Sequence, residues 1–78
     1  MKVKDLIKEL QLLDQESMVV ISGYEGGCSE VSSATQKQIA LDVHKSWYYG
    51  SHELIEDDYH KAQYPVTRYK LEQAVYLS

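Results

Sequence analysis

Three histidines, one tryptophan and one cysteine are the side chains here with the widest chemical repertoire. His44, His52 and His60 follow one another at intervals of eight residues, with the acidic run Glu56-Asp57-Asp58 between the last two. Zinc sites draw on closer pairs, such as two histidines three to five residues apart, so this spacing argues against a metal. A histidine beside a carboxylate can move protons, which would make this region the acid–base centre of a small hydrolase. An acidic triplet is more commonly a solvated charge run, and no paired-carboxylate spacing supports the catalytic use. Cys28 would need a histidine base and an oxyanion site to act as a nucleophile, and no recognised signature surrounds it. No catalytic residue, metal ligand or cofactor is therefore assigned, and the chain reads as a non-enzymatic protein.

The aromatic residues point elsewhere. The chain has seven tyrosines, one tryptophan and no phenylalanine. Phenylalanine suits dry cores, whereas tyrosine suits sites that are apolar on one side and wet on the other. From His44 to Tyr69 lie Trp47, Tyr48, Tyr49, Tyr59, Tyr64 and Tyr69 together with all three histidines. A long connection within a small domain is usually functional or disordered, and disordered segments are poor in aromatics. The segment is expected to be ordered by packing. It then serves as a satellite core, as an interface, or as a ligand pocket, in which Trp, Tyr and Arg are the usual anchors. The second feature is "SGYEGGCSE" (Ser22 to Glu30), which reads as a glycine turn between strands. Gly26 and Gly27 can also aim backbone N–H groups at an anion, with Tyr24 beside them for stacking. No Gly-Lys-Ser/Thr follows, so it is not a P-loop.

The elements that must position these residues give an α+β class. Val3, Leu6, Ile7, Leu10 and Leu13 recur at helical spacing and predict an amphipathic helix over 3–13, without a Ser, Thr or Asn cap and so with a frayed first turn. "MVVI" (Met18 to Ile21) reads as a strand covered on both faces. Gln38 to His44 alternates as a strand, "EVSSAT" reads as a short strand pairing back on "MVVI", and "LEQAVYLS" forms the last strand, with Leu71, Val75 and Leu77 on one face. "HELIEDDYHK" reads as a short helical turn anchored by Leu54 and Ile55, and Pro65 breaks whatever precedes it. The fold expected is a single domain, 1–78, with one helix packed on an antiparallel sheet of three to four strands and a long Tyr/His-rich connection before the last. One helix covers only one sheet face, so a second copy of the chain is expected over the other, making a homo-oligomer.

Eight basic against twelve acidic residues leave a formal charge of −4, which argues against a long nucleic-acid partner, because that needs a basic face. A small anion remains within reach of Arg68, Lys70 or Lys45. Charges throughout "MKVKDLIKEL" are unlike a signal peptide, no run has membrane-spanning length, and one cysteine fits a reducing compartment. A cytoplasmic protein is expected.

The residues "MKVKDLIKELQLLDQESMVVISGYEGGCSE", and further "ALDVHKSWYYGSHE", resemble small uncharacterised proteins of tailed bacteriophages. That resemblance implies the host cytoplasm as the site of action. By analogy of size, origin and aromatic content, it is similar to phage anti-defence sponges, oligomers that hold cyclic nucleotides or cyclic ADP-ribose derivatives without cutting them. The expected ligand site comprises Tyr24, Trp47, Tyr48 and Tyr49 for stacking, Gly26, Gly27 and Arg68 for phosphate, and His52 for a polar base contact. The alternatives are a module that blocks a host protein through the same aromatic surface, and a hydrolase of nucleotide-like signals.

Overall fold

Lysine, leucine and glutamate favour a helix from the third residue onward, and helix α1 spans Val3–Gln11 in the computed structural model, which describes all residues 1–78. The chain divides into two compact units, Met1–Ala34 with Leu77–Ser78, and Thr35–Tyr76. The antiparallel α+β class expected from the sequence holds. Its strands, however, form two sheets, one two-stranded and one three-stranded.

In the first unit, α1 starts more firmly than its sequence suggests. The Asp5 carboxylate accepts from the Lys2 N–H at 3.0 Å, the returning half of a capping box, and its charge also suits the positive end of the helix. The helix stops two residues short of Leu13. The Gln15 amide donates to the carbonyls of Leu10 at 2.9 Å and Leu13 at 2.8 Å, satisfying chain-end acceptors that further helical turns would have used. Asp14 then turns the chain, its side chain accepting from Glu16 N–H at 3.0 Å. Strand β1 is Val20–Ser22 and β2 is Cys28–Glu30, paired antiparallel with Val20 opposite Glu30 and Ser22 opposite Cys28. Met18 and Val19 thus precede the strand, and β1 has a single strand neighbour, not one on each side. "EVSSAT" contributes only its Glu30 to β2. Val31 N–H adds one more bond, to Val19 carbonyl at 2.9 Å. No residue of this unit is buried.

The second unit holds the three-stranded sheet, in the order β4-β3-β5. Strand β3 is Ala34–Ala40, β4 is Glu53–Ile55 and β5 is Leu71–Leu77, their end residues Ala34 and Leu77 belonging to the first unit. β3 pairs antiparallel with β4, Gln38 opposite Ile55 and Ala40 opposite Glu53. The alternating run predicted through His44 ends at Ala40 because Asp42 takes a left-handed φ of 53°, a conformation a strand cannot contain but aspartate tolerates. Glu53 to Ile55, expected in a helical turn, is a strand. Helix α2, Asp58–Gln63, begins only after it, where Asp57 caps the His60 N–H at 2.9 Å. The core of the protein is Ala40 and Ile55, set diagonally across β3 and β4, with Ile55 opposite Gln38 and Ala40 opposite Glu53. In β5, Leu71, Ala74 and Leu77 are half-buried while Val75 is exposed, so the expected Leu71/Val75/Leu77 face is only partly covered.

Candidate ligand-binding surface

The residues from Leu41 to His52 connect β3 to β4 and carry four of the eight expected site residues, Trp47, Tyr48, Tyr49 and His52. This connection is braced from within. His44 N–H donates to Ser51 carbonyl at 3.1 Å, and Tyr49 N–H donates to Ser46 carbonyl at 3.2 Å, closing a tight turn around Trp47 and Tyr48. At the base of the loop, Asp42 N–H donates to Nδ1 of His52 at 3.0 Å. The ring nitrogen that accepts there cannot carry the proton, so neutral His52 is protonated at Nε2.

His44 is set the other way round. Its Nε2 donates to the Glu53 carboxylate at 2.6 Å, a contact between two half-buried groups that ties the loop to the first residue of β4. Tyr49 lies against the same imidazole, ring centroids 4.5 Å apart and planes inclined at 58°. Tyr49 is therefore engaged in bracing, whereas Trp47 and Tyr48 are not. Those two meet edge to face, centroids 5.6 Å apart and planes at 88°, and their side chains are 94% and 72% exposed. Each of the two bulky aromatics presents most of its surface to solvent on a loop whose backbone is pinned at both ends.

Arg68 is exposed in the turn after α2, where its N–H donates to Pro65 carbonyl at 3.0 Å. The neighbouring Tyr69 ring meets Tyr64 edge to face, 5.2 Å between centroids. The Tyr64 phenol is held above the ordinary tyrosine value, first by desolvation and then by the charge of Glu53 and the neighbouring phenols of Tyr69, Tyr49 and Tyr59. It stays a neutral hydrogen-bonding group across the physiological range. Glu53 thus bonds His44 and its charge also acts on the Tyr64 phenol. Neither its role nor that of Tyr64 was anticipated from the sequence, because the nine-residue separation from His44 follows no helical or strand period.

Tyr24, Gly26 and Gly27 belong to the first unit, at the tip of the β1–β2 hairpin. Tyr24 is 95% exposed. Gly27 has φ of 63° and Gly26 of 142°, with open space where a side chain would stand. Both glycines answer to backbone angle and not to crowding. Gly23 is the crowded one. Its N–H donates to Gly27 carbonyl at 3.0 Å, and a Cβ there would stand 2.4 Å from the Gly26 carbonyl oxygen. The turn reading of this loop is therefore met by its geometry.

The three evenly spaced histidines face three separate groups: His44 bonds Glu53, His52 accepts from the Asp42 N–H, and the Nδ1 of His60 lies 3.2 Å from Asp57 Oδ1 without a hydrogen bond. No group of three or more His, Cys, Asp or Glu side chains is arranged to hold a metal ion. No helix is long and apolar enough to cross a membrane. Comparison of the chain with protein-family models, with curated proteins and with solved structures finds no match.

Proposed function

We propose that the protein is a non-enzymatic binding protein of the phage anti-defence type, which sequesters a nucleotide-derived small signalling molecule and works as a homo-oligomer in the host cytoplasm. The observation that carries the reading is the pair Trp47 and Tyr48, exposed on a loop that is braced by Ser46, Ser51, His52 and Glu53. Large rings left in water gain by being covered, and a loop already fixed in position loses little further entropy when something covers them. A purine or pyrimidine is a flat partner of suitable size, and base–aromatic stacking contributes ~1–3 kcal/mol per base. His52, with its proton on Nε2, adds a donor for a base edge, and Arg68 adds a fork for phosphate.

The test is direct. Protein purified without denaturation is scanned near 260 nm, and any material released on unfolding is identified by mass spectrometry. Titration calorimetry with cyclic mononucleotides, cyclic dinucleotides and cyclic ADP-ribose follows. Saturable binding without turnover supports the reading, and no binding across the panel together with a clean protein spectrum refutes it. Trp and Tyr are also the side chains that anchor protein interfaces, so capture of a host protein through the same rings is the second reading. Binding to a host protein that is lost on removing Trp47, in the absence of any nucleotide binding, would favour it.

A further inference from the structure

The first unit combines an amphipathic helix with a two-stranded ribbon and buries none of its residues. A solitary two-stranded ribbon is marginal in water, and here its cover is incomplete. Between α1 and β1 runs an open groove of about 490 Å³, walled by Leu6, Leu10, Val19, Val20, Val31 and Leu77, with no charged residue in its lining. Beside it on the same helix stripe, Val3 and Ile7 are each about half exposed.

We propose that this groove and the apolar stripe of α1 are covered by the same surface of a second copy of the chain, across a two-fold axis, with the two α1 helices running in the same direction. The proposal rests on the homo-oligomer reading above and assigns the surface through which the copies join.

Surface area supports a second copy as the occupant. The chain exposes 6823 Å². A single compact body of 9.0 kDa would expose roughly 4,900 Å². Even two separate compact bodies of half that mass would expose only about 5,900 Å². Roughly 1,000 Å² of the exposed surface exceeds even that value, an amount comparable to what each subunit covers at the lower end of obligate homodimer interfaces.

Charge selects the direction. At about 100° per residue, Lys4 and Lys8 fall along one edge of the Val3/Leu6/Ile7/Leu10 stripe, and Asp5 and Glu9 along the other. Each side thus carries like charges four residues apart, which disfavours a solitary helix and is only partly offset by the Asp5–Lys8 pair three residues apart. When two such faces meet across a two-fold axis parallel to the helices, the basic edge of one copy lies opposite the acidic edge of the other. An antiparallel pair would set lysines opposite lysines and carboxylates opposite carboxylates.

The test measures mass and dissociation constant of the full chain by sedimentation and light scattering. The unaltered protein is expected to be a dimer or a higher even assembly, and Ile7→Glu to weaken it at least tenfold. Folding of that variant need not be assumed, because Lys4→Glu and Glu9→Lys alter exposed positions and each replaces a like-charge pair within the helix by an opposite one. Each alone is expected to leave the far-ultraviolet helix signal of the full chain undiminished yet weaken assembly about 3- to 10-fold, and the two together to restore it. An unaltered protein that is monomeric overturns both this proposal and the homo-oligomer reading. Assembly that survives Ile7→Glu overturns the proposal and leaves that reading standing, as does assembly indifferent to both charge reversals, and nucleotide binding is scored separately from either.

Discussion

Removing the Trp47 and Tyr48 rings together should leave the protein folded and abolish most of its affinity for a nucleotide ligand. The structure sets both magnitudes. With 94% of Trp47 and 72% of Tyr48 exposed, truncation opens no cavity, and surface changes of this kind stay within about 0.5 kcal/mol. The edge-to-face contact between the rings adds about 0.5 kcal/mol more, the low end of its range at an exposed site. The double variant Trp47→Ala/Tyr48→Ala should therefore lose no more than about 1 kcal/mol of stability. Stacking is larger, at ~1–3 kcal/mol per base, and with the two ring planes at 88° a base lies flat on one of them, so the ligand would bind roughly 5-fold to more than 100-fold more weakly. The assay pairs urea unfolding, followed by far-ultraviolet circular dichroism, with calorimetric titration of whichever cyclic nucleotide the parent protein binds. Affinity within twofold of the parent would refute the stacking role. A collapse of stability beyond about 2 kcal/mol would instead show that the rings are structural.

Ile55→Ala should cost about 2–4 kcal/mol in urea unfolding, because Ile55 is one of two buried residues and the only large one; a loss under 0.5 kcal/mol would show that Ile55 is not the core. Asp42→Gly should be neutral or stabilising and Asp42→Val destabilising by about 1–2 kcal/mol, since φ of 53° is open to glycine and closed to a β-branched residue; equal midpoints for the two variants would contradict the left-handed assignment. Tyr64 predicts an alkaline effect with a definite sign. Its folded-state value is raised, so the unfolded chain ionises first. Stability should be fully present below about pH 10 and fall as pH climbs from there through the higher folded value. Tyr64→Phe should lose less stability over that window than the parent, and identical losses would remove Tyr64 as the cause.

The helix, the C-terminal strand and the glycine turn were legible along the chain because each depends on neighbours a few residues away. Helical spacing of Val3, Leu6, Ile7 and Leu10 is a local signal, and so is the run of glycines at the hairpin tip. Boundaries were less legible where one side chain reached beyond its own period: Gln15 capped the end of α1 by reaching back to the Leu10 carbonyl, and Asp42 stopped β3 by adopting a left-handed angle. β4 was misread as part of a helical turn because three residues are too few to show a period, and pairing with β3 decided their conformation.

The chain's own residues settle its α+β class, its acidic balance and the gathering of aromatics between His44 and Tyr69, since these are properties of composition and short-range spacing. Tertiary structure alone distinguishes the two kinds of aromatic in that segment. Tyr49 is held against His44, and His44 is held by Glu53, whereas Trp47 and Tyr48 are left facing water. The reason is the antiparallel register of β3 and β4, which brings Glu53 level with Ala40, beside a loop that starts at Leu41. Which side chains brace that loop and which remain free to bind is fixed across the sheet, between residues that no local pattern connects.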